Sequence, residues 1–146
     1  MARGYPDYFG YSVFPNFGQM IGVAIDEAIP GGGAVNDIVN IVGKGKTYSG
    51  FFYFNMGGNN GVGITVRAII DGNLYGTNNL RFDYTSGFTE TEHALLRLVY
   101  YNETSFVSSW AIGKDWTFGQ SFIIRITSGA GAPGLVLGRF HYSVYQ

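Results

Sequence analysis

The 146-residue chain has no cysteine, only four prolines and few charges, with Asp, Glu, Lys and Arg together making 13%, about half the share usual in globular domains. Without cysteine there are no disulfides, thiolate nucleophiles or Cys-based zinc sites, and the redox compartment stays undecided. Stability must come from packing and assembly. The nine basic residues are scattered singly except for Lys44 and Lys46, and the net charge is −1. That leaves no electrostatic footprint for a polyanion, so nucleic acid is not an expected partner. No apolar run approaches the roughly 18 residues of a spanning helix, and no basic segment followed by an apolar stretch opens the chain. The expectation is a soluble protein with no signal peptide and no membrane partner.

What is abundant is glycine, at 23 residues, together with 11 tyrosines and 12 phenylalanines. A surface built from Tyr, Asn, Ser, Thr and Gly can be covered by another protein without stripping water from ions, a step that costs several kcal/mol per ion. Such a surface suits a permanent interface. A monomer with an unusually neutral exterior is the competing reading.

The aromatics are densest at the start. Residues 1–19 (MARGYPDYFGYSVFPNFGQ) carry Tyr5, Tyr8, Phe9, Tyr11, Phe14 and Phe17 among prolines and glycines, without helical spacing. Each buried aromatic side chain contributes about 1.5–3 kcal/mol, while each ordered backbone residue costs about 1–2 kcal/mol. With fewer than one aromatic for every three residues, the segment cannot order itself. It must lie on its own domain, add to a sheet edge or be captured by another subunit. Residues 1–19 are therefore expected to be an extended arm, its six aromatics the partner-binding residues, and 20–146 a single domain.

Beyond the arm, short runs rich in β-branched and aromatic residues recur between glycine-rich breaks. Residues 20–28 place Ile21, Val23 and Ile25 on one face, and 37–42 (DIVNIV) and 47–55 (TYSGFFYFN) read as strands flanking a turn at 43–46. The clearest half-buried strand is 62–70, where Val62, Ile64, Val66, Ala68 and Ile70 alternate with Gly63, Thr65, Arg67 and Ile69. Asp71-Gly72 after it is a type I′ hairpin signal, since both positions need positive φ, and 73–75 should turn back beside it. Residues 80–84 alternate again. The stretch around 93–101 reads as a strand, with a capped helix from 89 as the alternative, and 105–112, 121–127 and 134–145 complete the series. Many short strands with little helix predict an all-β antiparallel sandwich, jelly-roll-like, preceded by the arm.

Catalytic signatures are weak. Gly45-Lys46-Thr47 imitates the end of a phosphate loop, but Asn40 stands where the first glycine is required and no helix follows. Glu90, Glu92 and His93 form a tight titratable cluster, yet a strand would put His93 opposite the two carboxylates, which suits a solvated edge better than a metal site. No G-x-S-x-G elbow surrounds a serine, and His141 falls with Arg139 and Ser143 on the outward face of the last strand. Asn102-Glu103-Thr104 matches a glycosylation acceptor but lacks a secretory context. Trp110 and Trp116, with Tyr100 and Tyr101, suit either core packing or a sugar-stacking platform. No cofactor, metal or catalytic residue is expected, and the chain does not read as an enzyme.

The segments at 4–15 (GYPDYFGYSVFP), 44–54 (KGKTYSGFFYF) and 66–72 (VRAIIDG), with FGQSFIIRIT and GRFHYSVYQ near the end, resemble small virion proteins of tailed bacteriophages. The resemblance touches about a third of the chain. It implies a virion component assembled in the host cytoplasm, of the capsid decoration type, whose partners are the major capsid protein, other virion subunits and copies of itself, with a trimer expected from shell three-folds. A tail component or a receptor- or carbohydrate-binding module is the alternative it leaves open.

Overall fold

A computed structural model describes residues 20–55, 62–82, 96–102, 105, 107–112, 115–129 and 134–145. The six arm aromatics and the Glu90, Glu92, His93 cluster lie outside the described residues. Ten strands and no helix occur among the described residues: β1 (Ile21–Ile29), β2 (Val35–Val42), β3 (Gly45–Asn55), β4 (Val62–Ile70), β5 (Asn73–Phe82), β6 (Leu96–Asn102), β7 (Val107–Ile112), β8 (Thr117–Phe118), β9 (Ser121–Ser128) and β10 (Gly134–Val144). All pair antiparallel.

They form two sheets. One runs β1-β10-β3-β7-β6, with β8 paired to the start of β3, and the other runs β2-β9-β4-β5. The chain changes sheet at most steps, and among the described strands only the β4/β5 and β6/β7 pairs are consecutive and side by side. Each sheet turns one face inward, giving a β-sandwich. The period-two pattern decides which face: Ile64, Val66, Ala68 and Ile70 of β4 and Phe122, Ile124 and Ile126 of β9 are buried, opposite Phe52 and Phe54 of β3 and Val136 and Phe140 of β10. The rings of Phe122 and Phe140, one from each sheet, stack 5.7 Å apart at 14°. Each such buried side chain contributes about 1.5–3 kcal/mol.

The Asp71-Gly72 turn forms as its residues require, with φ of 53° and 81°, and returns the chain into β5. Gly45 is needed for close approach, since a Cβ there would strike the Ser143 carbonyl oxygen and the Phe118 ring. Several expectations shift. Gly45 and Lys46 already belong to β3 rather than to the preceding turn, and residues 80–82 continue β5 rather than starting a new strand. Where strand and helix competed, Leu96–Asn102 is strand. The two-residue β8 has no periodicity to betray it: backbone pairing of Gly45 with Phe118 and Lys46 with Thr117 holds it in place.

Candidate functional site

The outward face of the six-stranded sheet carries one group of exposed aromatic and aliphatic side chains, while Val35, Val42, Leu74 and Tyr75 stand exposed on strands of the four-stranded sheet. Cross-strand register sets Tyr53 between Leu137 and Ser109, and Phe51 between Arg139 and Ala111. Ala24 follows beyond Arg139, and Tyr100 lies beyond Ser109. Phe51 is 46% exposed and Leu137 36%, and on β6 both Tyr100 and the bulged Val99 stand more than half exposed. His141 sits on this face as its alternation predicts, half-buried, with Nδ1 3.0 Å from the Ser49 hydroxyl. Ser143, on the same row, is fully buried and hydrogen-bonded to the Tyr48 hydroxyl at 3.0 Å. The cause is a bulge at Tyr48, where the register steps from Ser49 to Thr47, and bulges re-aim side chains.

At one end of this sheet β1 leaves a nine-residue backbone edge with no strand beyond it among the described residues. Ile25 and Ile29 point inward and are buried, whereas Ile21 and Val23, on the same side of the strand, remain 40% and 38% exposed, and Met20 before them is 59% exposed.

The outward face of the four-stranded sheet differs. Arg125 grips Asp37 with two hydrogen bonds of 2.6 and 2.9 Å, and Arg67, its cross-strand neighbour, donates to the Thr127 hydroxyl at 3.3 Å. Hydrogen bonding from Arg125, reinforced by its charge, holds the Asp37 carboxyl below the usual carboxylate range, and Asp37 in turn raises Arg125.

A third region lies at the β4–β5 turn. The Asp71 carboxylate accepts backbone N–H groups from Gly119 (2.8 and 3.0 Å), Gln120 (2.6 Å) and Ser121 (2.9 Å), and these bonds hold it below the usual carboxylate range. Beside it an open cleft of about 370 Å³ is lined by Ile70, Asp71, Tyr75, Asp115, Trp116 and Thr117. The Tyr75 and Trp116 rings meet edge to face, 6.4 Å apart at 69°. Asp115 pairs with Lys46 at 3.0 Å.

The tryptophan platform considered from the sequence is not assembled. Trp110 is fully buried in the core, where Nε1 donates to the Ser108 hydroxyl at 2.8 Å, because β7 turns it inward between the sheets. Tyr100 stands on the outer face, and the Tyr101 side chain is outside the described residues. Trp116 reaches the cleft, but its aromatic neighbour is Tyr75. Nothing in the sequence pairs those two; the nearest signal was the Asp71-Gly72 turn that sends β5 back past Trp116. Thr47, the end of the phosphate-loop imitation, is buried, and its hydroxyl accepts the Trp116 backbone N–H at 2.9 Å. Among the described residues no group of three or more His, Asp or Glu side chains lies together as metal ligands do.

No protein-family model matches the chain, and no curated protein matches it. Solved structures similar to it include two of infectious bursal disease virus. Its Gx strain shows 12% identity over 88% of this chain and 33% of that one, with a TM-score of 0.46. The Gt strain shows 11% identity over 87% and 33%, with a TM-score of 0.43. The VP2 subviral particle of the same virus matches at 10% identity over 87% and 32%, with a TM-score of 0.37. The chain spans about a third of the length of those chains. They come from an animal virus, and the tailed-bacteriophage source implied by the sequence resemblance finds no support among them.

Proposed function

We propose that this protein is a structural component of a virion, a decoration protein that binds a capsid shell and stabilises it by contact rather than by chemistry. The observation that carries the reading is the outward face of the six-stranded sheet, where Phe51, Leu137, Tyr53 and Tyr100 lie in register among small residues. Apolar side chains grouped in this way mark interaction sites more often than they persist on a monomer, and Asp26, Arg139 and Arg97 share their rows. The strand order supports the jelly-roll reading of the sandwich: β1-β10-β3-β7 faces β2-β9-β4-β5, with the chain crossing between sheets.

In this reading the arm, residues 1–19, leaves the domain at the exposed corner of Met20, Ile21 and Val23. Tyr5, Tyr8, Phe9, Tyr11, Phe14 and Phe17 engage a neighbouring subunit or the major capsid protein, adding main-chain hydrogen bonds as strand addition does. Three arms in a trimer would bind as one unit and gain avidity. The test is deletion of residues 1–17 followed by co-sedimentation with shells. The truncated domain is expected to fold with an unchanged circular dichroism spectrum and to lose shell binding; full binding by the truncation overturns the role of the arm. Hundreds of copies per particle are expected. A handful of copies would favour the second reading, a tail or receptor-binding module, for which the Tyr75–Trp116 cleft speaks.

A further inference from the structure

The cleft at the β4–β5 turn has no part in shell binding through the sheet face or the arm, and its chemistry is of another kind. We propose that it is a carbohydrate site that takes a neutral pyranose ring, seated on Tyr75 and hydrogen-bonded by Asp115, Thr117 and Lys46. The inference stands independently of the decoration reading.

Its volume, about 370 Å³, lies at the lower end of small-ligand pockets, roughly 300–1,000 Å³, which suits one terminal sugar rather than a long chain. The stacking surface is Tyr75. Its side chain is 54% exposed, yet it is propped edge-on against Trp116, which is 9% exposed and fastened through its backbone N–H to Thr47. An aromatic ring held in place before binding loses less freedom when a ligand covers it. The C–H face of a pyranose fits such a ring, and its hydroxyls need donors and acceptors at the rim. Asp115 and Lys46 supply both, an oxygen and an ammonium 3.0 Å apart, a spacing that matches adjacent ring hydroxyls. The Thr117 hydroxyl adds a group able to donate or accept.

Charge decides the kind of ligand. Two carboxylates next to aromatic rings would suit an ammonium ion, but here each is already compensated, Asp71 by three backbone amides and Asp115 by Lys46. The cleft thus offers hydrogen-bonding capacity with little net field to hold either a cation or an acidic sugar. A neutral polyhydroxylated ring satisfies these conditions together. Asp71 frames the site by holding residues 119–121, and its oxygens are occupied.

The experiment titrates the full chain with methyl hexopyranosides and N-acetylhexosamines, with sialyllactose and choline as the acidic and cationic probes. Tryptophan emission and saturation-transfer NMR are read together. The expected result is saturable binding of a neutral sugar with a change in emission from Trp116, while Trp110 contributes a constant background from the core. Tyr75→Ala is expected to raise Kd about tenfold, equivalent to about 1.4 kcal/mol, and Asp115→Asn to weaken binding with the fold intact. Should Tyr75→Ala fail to fold by circular dichroism, Asp115→Asn decides. The proposal is overturned by no saturable binding of any neutral sugar, by unchanged affinity in the folded variants, or by preference for choline or sialyllactose.

Discussion

The two outward faces of the sandwich are built on the same alternation and arrange their apolar and charged side chains differently. On the four-stranded sheet the outward rows hold Thr65, Arg67, Arg125, Asp37 and Thr127 with Ile69 and Ile123; Arg67 donates to Thr127, and Arg125 pairs with Asp37. On the six-stranded sheet the corresponding rows hold Phe51, Tyr53, Leu137, Ala24, Ala111 and Tyr100 interleaved with Asp26, Arg139 and Arg97. The first face is finished against water. The second leaves apolar surface that contributes only when something covers it, at about 25 cal/mol per Å² removed from water. The difference lies in how the charges are placed: on the first face Arg125 and Asp37 pair with each other, while on the second Asp26, Arg139 and Arg97 stand among exposed apolar side chains.

That asymmetry can be broken at graded cost. Replacing Phe51 and Leu137 together, as Phe51→Lys with Leu137→Lys, is expected to weaken partner binding by at least about thirtyfold, the equivalent of a hot-spot loss of roughly 2 kcal/mol. Thermal unfolding should hardly move, because both side chains point out of the core. Thr65→Lys on the opposite face serves as the control and should leave binding within error; equal losses in sedimentation assays from both variants would erase the distinction between the faces.

A smaller effect is expected from Asp71→Asn, a change the turn tolerates because Asn also adopts positive φ. Three backbone N–H groups favour the ionised carboxylate, so its folded pKa lies below the unfolded value of about 3.9. Its contribution is complete above the unfolded value and is lost as pH falls through the folded one. The native protein should therefore lose stability below about pH 4, and the variant, less stable at pH 7, should show a shallower fall; parallel acid-unfolding curves would refute the assignment. The smallest change is expected from Asp37→Asn. Its carboxyl is depressed in the same direction by Arg125, but the pair is partly exposed, so a drop in Tm of a degree or so, vanishing in high salt, is the expected calorimetric result.

Much of this architecture was legible beforehand. The alternation in β4 named its buried residues, the Asp71-Gly72 pair named its turn, and His141 was placed outward, where it lies. Other features escaped for identifiable reasons. β8 is two residues long and exists because β3 offers it partners. Ser143 looked exposed by alternation, yet the bulge at Tyr48 lays a phenol across it. Trp110 and Trp116, close in sequence, part company because one enters the core and the other meets Tyr75, 41 residues away along the chain.

The sequence by itself determined the class of fold, the inward row of β4 and the tight turn at Asp71, because alternation and positive φ are local properties of consecutive residues. Only the tertiary structure decided the strand order, the face on which Phe51, Leu137 and Tyr100 gather and the meeting of Tyr75, Trp116 and Asp115 in one cleft. Those depend on pairings between distant strands, and a one-residue bulge in such a pairing is enough to change what a side chain touches.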